Sequence, residues 1–460
     1  MYYGNYKPAG NQFTLKVMIN KQKTKVLFAA IDSDFADVLL SFLTLPLGTI
    51  ARILKKHGRT IGCLTALYSG LENLGTGYFG TDVCKQMLLN PRSSFASECR
   101  KLKLDLGENQ PTRYFACETR NCSSFIPRNI RYLMMFLVEL YNRQSFFLIS
   151  DDLKMVPNVA VPALQTLVKL GITDTDGAEL RTVTFGFNEI MDLLMWSLIS
   201  LTPLTDIILN KRKIESIKRE LEQETLLHQL CKGTGSYYKS ILKLKLMVQK
   251  STNKLLFAQA ENDFVDFLCS LLTVPLGGVQ YLFGSNTNCL KSLENLYKSV
   301  DLIEDKYFAA PNMKKRLMKP DIAKGYMSKN QVLPLGEHMD QTIYYNQDLK
   351  LNKEWLSFSN TNGAKLFTII GSFKGKGDFV KEATMYMVSD DLTVAPLCMT
   401  SSLSILNRLN ISLTDVKEVE VHIVYMSGLS ILKASLTSTS ALTDGLKISP
   451  VLNKQPKQEN

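Results

Sequence analysis

Two adjacent carboxylates beside a hydroxyl occur twice in this chain, as Ser150-Asp151-Asp152-Leu153 and Ser389-Asp390-Asp391-Leu392. Such a pair could bind a hard cation or divide general acid and base work. The competing reading is a tight turn, because Asp and Ser accept hydrogen bonds from amides two residues on. Neighbours on a turn also point apart, so a shared metal would need ligands from elsewhere. Both motifs lie between strand-like runs, which favours the turn. Cys117 and Cys122 have a C-x4-C spacing, half of what a four-thiolate zinc site needs, and no second close pair follows before Asp151. They are weak metal candidates, and no cofactor is expected. His57, His228, His338 and His422 are scattered, with no two at metal-ligand spacing. Gly371 to Gly377 is basic and glycine-rich but lacks the Lys-Ser/Thr ending of a phosphate-binding loop. No catalytic or cofactor-binding residue is assigned.

The elements that must position these residues come in two copies. A shift of 229 residues lays Phe13 to Gly48 over Leu242 to Gly277 with 18 of 36 positions identical, far above the roughly two expected by chance. The same shift carries Tyr68 onto Tyr297, Tyr78-Phe79 onto Tyr307-Phe308 and Pro91 onto Pro320, and a shift of 239 superposes the two Ser-Asp-Asp-Leu motifs. Leu15, Val17 and Ile19 alternate as in a strand, and Lys25 to Ala29 completes a hairpin. Phe35, Val38, Leu39, Phe42 and Leu43 then mark one buried helical stripe, repeated by Phe264, Phe267, Leu268, Leu271 and Leu272. Ser33 and Asn262 are read as N-caps, and Asp34, Asp37, Asp263 and Asp266 as first-turn acids favoured by the helix dipole. Pro46 and Pro275 end or bend that helix, and Gly48 and Gly277 allow a reversal. Later in each copy, Phe146 to Ile149 and Met385 to Val388 predict strands, Leu403, Leu406 and Leu409 predict a helix, and Glu418 to Tyr425 predicts a strand followed by a helix.

Lys16, Lys21 and Lys25, with Lys245, Lys250 and Lys254, place a basic edge on each hairpin. Such lysines could contact phosphates, but blunting a sheet edge against aggregation is the favoured role. Between the copies, Asp206 to Leu230 has helical spacing, with Glu215/Arg219 and Lys218/Glu222 at i, i+4. The chain of 460 residues carries 54 Lys+Arg against 43 Asp+Glu, a net +11, and the stretch from Lys211 to Lys254 alone holds 11 basic residues against 4 acids. The excess is therefore a basic joint between nearly neutral halves, with Lys211, Arg212 and Lys213 as candidate polyanion contacts. No apolar run approaches the roughly 18 residues of a membrane span, and nine scattered cysteines fit a reducing compartment better than a disulfide scaffold.

Leu-Lys-x-Met followed by Lys-Val-Leu-Phe-Ala, Asp-Phe-x-Asp with Leu-Pro-Leu-Gly, Ser-Asp-Asp-Leu before a proline, and the segment Lys433 to Asp444 together resemble the plant family known as domain of unknown function 674, whose members often carry two copies. The resemblance implies no reaction, substrate or catalytic residue. Members of that family often carry a second Cys-x-x-Cys pair. This chain keeps only Cys117 and Cys122, while Arg128 to Tyr141 has become apolar.

The expected architecture is α+β: two similar tandem domains, each with an N-terminal β-hairpin, an amphipathic helix and later strand-helix units. The boundaries read from the sequence are a tail over 1–12, a first repeat domain over 13–205, a basic helical linker over 206–240, a second repeat domain over 241–446 and a tail over 447–460. Each half is expected to fold around its own apolar centre. The expected function is non-catalytic binding of another macromolecule, a protein partner first, with no membrane, in the cytoplasm or alternatively the nucleus. The rival readings are nucleic-acid binding through the basic linker and a carboxylate-dependent hydrolase or transferase.

Overall fold

A computed structural model describes residues 12–95, 146–158, 174–210, 241–284, 290–308, 312–328, 331–338 and 378–446, together with 167–168, 170, 172 and three short strands at 343–345, 351–352 and 365–367. In the first copy the alternating residues form β1 (Phe13–Ile19), with Leu15, Val17 and Ile19 buried. The chain turns where Asn20 Oδ1 accepts from the amides of Thr24 (2.8 Å) and Lys25 (3.0 Å), and it returns as β2 (Val26–Asp32). Then come α1 (Ser33–Thr44), α2 (Leu47–Lys56), α3 (Leu64–Asn73) and α4 (Asp82–Leu89). Strands β3 (Phe146–Ser150), β4 (Met155–Pro157) and β5 (Glu179–Phe185) precede α5 (Phe187–Ile199).

The second copy repeats this series. It has β6 (Leu242–Gln249), β7 (Leu255–Ala260), α6 (Asn262–Leu271), α7 (Leu276–Phe283), α8 (Lys291–Leu302) and α9 (Met313–Met318). A separate three-stranded sheet follows, formed by β8 (Ile343–Tyr345), β9 (Leu351–Asn352) and β10 (Lys365–Phe367). The copy closes with β11 (Tyr386–Val388), β12 (Val394–Pro396), α10 (Met399–Leu409), β13 (Val416–Ile423), α11 (Tyr425–Thr437) and α12 (Ala441–Leu446).

The two principal sheets have one topology. Their orders are β4-β3-β2-β1-β5 and β12-β11-β7-β6-β13, with every pairing antiparallel. Each has a register shift at the same place, Met18/Ile19 and Met247/Val248. The chain is thus α+β and built of two similar tandem regions. The strand order corrects the reading of the hairpin lysines: β1 and β6 lie inside their sheets, flanked on both sides, so Lys16 and Lys245 do not stand on an edge. Lys245 pairs across the sheet with Glu418 of β13 at 2.9 Å, and Lys250 Nζ donates to the Thr414 carbonyl at 2.8 Å.

The copies meet about an approximate twofold axis. Pro46 and Pro275 face each other in an antiparallel bridge, where the Leu47 amide donates to Val274 O and the Leu276 amide to Leu45 O, both at 2.9 Å. Proline fits because these bonds ask it for no N–H. Pro46 and Pro275 are also the N-caps of α2 and α7, and Gly48 and Gly277 lie inside those helices. They do not reverse the chain, contrary to expectation. A Cβ on Gly48 would stand 3.0 Å from Leu272 O, and one on Gly277 would stand 2.9 Å from the equivalent Leu43 O, so both glycines are needed for the approach of the other copy.

Reciprocity continues outward. Helix α3 packs on β12 of the second copy and α8 on β4 of the first. The Tyr78 ring meets Tyr386 edge-on at 6.2 Å, and the counterpart Tyr307 meets Phe147 at 6.1 Å. Ser299 Oγ accepts from the Met155 amide at 2.8 Å, whereas Gly70, the residue equivalent to Ser299, lies against the Val394 amide. One contiguous apolar cluster accordingly runs through both copies, including Leu39, Phe42, Leu71 and Phe147 with Phe267, Leu268, Leu296 and Tyr386. This replaces the expected separate centres: each sheet is packed by helices of its own copy, and a helix of the other copy adds to the cover at its edge strand. Each large side chain buried across the axis contributes about 1.5–3 kcal/mol to holding the halves together.

Two expectations about helix starts also change. The cap of α1 is Asp32, whose side chain accepts from the Phe35 amide at 2.9 Å, and Ser33 is the first helical residue. Glu261, not Asn262, is the N-cap position of α6. Of the expected first-turn acids only Asp34 and Asp263 are in the first turn; Asp37 and Asp266 lie beyond it, and Asp266 is fully buried, accepts from the Phe379 amide at 2.5 Å and accepts a hydrogen bond from the Ser328 hydroxyl. It ties two distant segments to the helix.

Candidate functional site

The repeated Ser-Asp-Asp-Leu motifs form identical hairpin turns. The Ser150 amide donates to Lys154 O (2.9 Å) and the Leu153 amide to Ser150 O (3.0 Å), with Ser389, Thr393 and Leu392 repeating the pattern at 3.0 and 2.9 Å. Leu153 and Leu392 occupy the left-handed region, with φ of 63° and 66°. Glycine would adopt this backbone more readily, yet both leucine side chains are completely buried. Core packing offsets the conformational cost, which explains a leucine at this position in both copies.

Asp151 and Asp390 point inward to a second repeated motif. Ser197-Leu198-Ile-Ser200 with Leu204-Thr205-Asp206 recurs, shifted by 238, as Ser435-Leu436-Thr-Ser438 with Leu442-Thr443-Asp444. Asp151 Oδ1 accepts from the Thr205 amide at 2.8 Å and Oδ2 from its hydroxyl at 2.6 Å. Asp390 accepts from the Thr443 amide and hydroxyl, both at 2.8 Å. Thr205 Oγ1 also accepts from the Val26 amide at 2.9 Å, which extends the link to β2. Within each second motif the serine hydroxyl donates to the terminal aspartate, Ser200 to Asp206 at 2.5 Å and Ser438 to Asp444. The carboxylates are thus braces that lock a hairpin turn onto the segment that follows α5 in the first copy and α11 in the second.

The opposite copy closes each brace. Ser292 Oγ donates to Ser200 O at 2.6 Å, and Cys63, the residue equivalent to Ser292, donates its thiol to Ser438 O at 3.0 Å. Asn295 Nδ2 donates to both the carbonyl and Oδ2 of Asp152 at 2.9 Å, and Lys154 pairs with the same carboxylate at 3.1 Å. The second copy keeps a simpler arrangement, in which Asp391 accepts from the Thr393 amide at 3.0 Å.

Burial pushes the Asp151 carboxyl up to about 6, against the Thr205 hydrogen bonds and the Lys25 charge, which lower it. A carboxyl in that range could serve as a general acid near neutrality. Here both oxygens are already occupied by one threonine, and Asp151 is only 4% exposed. Burial likewise drives the Cys63 thiol up to about 12, and the negative charges of Asp390, Asp391 and Asp444 push it the same way, which leaves it protonated and a poor nucleophile. Cys398 differs. It is exposed at the N-cap of α10, and hydrogen bonds from Ser401 and Thr400 lower its thiol to about 7. The sequence reading gave it no role, because its environment is made by the residues after it and not by a spacing between cysteines.

Among the described residues no three His, Cys, Asp or Glu side chains converge on a point that could hold a metal ion. Nor, among these residues, is any helix long and apolar enough to cross a membrane. Cys117 and Cys122 lie outside the described residues, as do Lys211, Arg212 and Lys213. Of the histidines, His228 lies outside the described residues, while His57 stands near Phe187 and His422 lies 3.6 Å from Glu420.

The threonine partners of Asp151 and Asp390 were legible in principle. Extending the comparison of the chain with itself to a shift of 238 exposes Leu-Thr-Asp at both places. No curated protein and no solved structure matches the chain. The family described as "Protein of unknown function (DUF674)" matches residues 9–132 and again 135–426, so that the duplicated chain, with its paired turns and their threonine partners, belongs to that family.

Proposed function

We propose that the protein is a non-catalytic scaffold that binds another macromolecule, in the cytoplasm or nucleus of a plant cell. One observation carries this reading: the repeated carboxylates Asp151 and Asp390, the residues most suggestive of chemistry, each spend both oxygens on a threonine of the same copy. The free thiols of Cys63, Cys84, Cys269 and Cys398 suit a reducing compartment. The rival hydrolase or transferase reading needs those carboxylates to face a concave pocket with other polar groups. A screen of ester, phosphoester and glycoside substrates tests the choice, with Asp151→Asn and Asp390→Asn as variants that keep an acceptor for the threonine. The expected result is no turnover that copurifies with the chain. Turnover abolished by either substitution would establish an enzyme.

A second reading has the basic linker, read over 206–240, contact nucleic acid through Lys211, Arg212 and Lys213. It is favoured by the concentration of basic charge between Lys211 and Lys254. Retention on heparin that falls steeply with salt, and falls further when those three residues are neutralised, is the result it expects. Salt-insensitive retention contradicts it.

A further inference from the structure

The duplication supplies an internal control for surface charge, because equivalent positions in the two copies meet the same demands of the fold. Lys85 and Lys314 are equivalent, and both have a structural task. Lys85 Nζ donates to the carbonyls of Glu72 and Leu74 at the end of α3 (2.8 and 2.7 Å), and Lys314 Nζ donates to Ile303 O at the end of α8 (3.0 Å). The next positions diverge. Gln86, Met87 and Asn90 in the first copy stand where Lys315, Arg316 and Lys319 stand in the second. The lysine at 314 thus has a task common to both copies, whereas the cations at 315 and 319 have no counterpart in the first copy.

Their surroundings are also suited to a ligand. Lys315 and Lys319 are exposed, and among the described residues neither has an acidic partner. In the first copy Arg52 donates to Asn90 Oδ1 at 2.7 Å, so the cation there is satisfied by an amide. The equivalent pair in the second copy is Tyr281 and Lys319, with the ammonium 5.4 Å from the ring centroid and the tyrosine 39% exposed. Beside them the Arg316 guanidinium lies over Phe95 at 4.4 Å and donates to Ser94 O at 3.1 Å, which anchors α9 to the first copy. A partly exposed tyrosine ring beside two ammonium groups that lack an acidic partner combines the two contacts that single-stranded nucleic acids accept, stacking of a base and neutralisation of its phosphate. An acidic protein segment or an anionic lipid surface would use the cations but gain little from the ring.

We propose that the face formed by α9 and Tyr281 is a docking surface for single-stranded nucleic acid, with Lys315 and Lys319 on phosphates and Tyr281 under a base. The proposal rests on the reading of the chain as a binding protein, but it uses a surface independent of the linker. Its failure would leave the turnover test untouched, and turnover would not by itself remove the surface.

Fluorescence anisotropy of the full chain with labelled polyuridine of roughly 20 nucleotides, longer than the usual site sizes, provides the test. Replacing both lysines (K315Q/K319Q) is expected to weaken binding about 3- to 10-fold at low salt and to flatten the log-log salt dependence by about 1.4, the share of two phosphate contacts on a single strand. Tyr281→Ala should weaken binding with little change in that slope. Transplanting the charges to the first copy (Q86K/N90K) should strengthen binding. The proposal is overturned if the wild-type chain binds no oligonucleotide at low salt, if K315Q/K319Q binds as the wild type does, or if neutralising Lys211, Arg212 and Lys213 alone removes all binding. It is equally overturned if vesicles containing phosphatidylserine compete for the chain while oligonucleotides do not.

Discussion

Gly62→Ala is expected to destabilise the whole chain by about 2–5 kcal/mol, the sum of left-handed backbone strain and forced overpacking. Gly62 has φ +44°, and an added Cβ would stand 2.5 Å from Ser435 O and 2.8 Å from the Leu436 carbonyl carbon, both main-chain atoms of the other copy. Backbone at the end of a packed helix cannot move aside as a side-chain tip can. Gly58 is the matched control, with φ +68° and nothing within 4 Å of the same added atom. Gly58→Ala should carry the conformational strain alone, about 1–2 kcal/mol. Urea unfolding of both variants measures the difference. Equal losses would mean that the end of α11 does not press on the Gly62 turn.

The second large effect concerns the Asp151 brace. Asp151→Ala leaves the amide and hydroxyl of Thr205 without their acceptor at a buried position, and each such donor costs about 1–3 kcal/mol, so roughly 3 kcal/mol in total is expected. Asp151→Asn retains one of the two acceptors and should cost less. The pH dependence has a definite sign. The folded carboxyl lies at about 6, raised chiefly by burial from its ordinary 3.8, so the folded state holds the proton more tightly than the unfolded state. The stabilisation from this group is fully present below about pH 4 and is lost as pH rises through 6, a change of about 2–3 kcal/mol in all. Asp151→Ala should therefore cost more at pH 4.5 than at pH 7. The difference in stability between wild type and Asp151→Asn should shift in favour of wild type on acidification over that range. A shift in the opposite direction would show that Asp151 is held as a carboxylate by its threonine.

Features set by near neighbours were readable in the chain. The alternation of Leu15, Val17 and Ile19 gave β1, the stripe from Phe35 to Leu43 gave the buried face of α1, and the Ser-Asp-Asp-Leu motifs gave turns. The cap of α1 was displaced by one residue because Asp32 and Ser33 can both cap, and only the backbone conformation separates them. Asp266 was misread for a different reason: its partners, Phe379 and Ser328, lie far along the chain, and nothing beside it in sequence announces them. The same applies to Gly48 and Gly277, whose need for a missing side chain comes from the other copy. The hairpin lysines were assigned to an edge because β5 and β13, which cover β1 and β6, arrive late in each copy.

The duplication itself was the most informative feature of the sequence, yet duplicated sequences can fold as two beads or as one body. Here Leu45 to Gly48 and Leu272 to Leu276 bond to each other across the axis, and α3 and α8 cross to the opposite sheets. The braces at Thr205 and Thr443 are closed by Asn295, Ser292 and Cys63 of the facing copy. A surface difference such as Lys315 and Lys319 against Gln86 and Asn90 therefore arises between two halves of one symmetric frame, where it can be tested by exchange.

Differential scanning calorimetry of the intact chain examines this interdependence most directly. A core shared across the axis predicts one heat-absorption peak whose van't Hoff and calorimetric enthalpies agree, shifted as a whole by Gly62→Ala. Two resolved peaks, only one of which moves with that substitution, would show instead that each copy melts on its own.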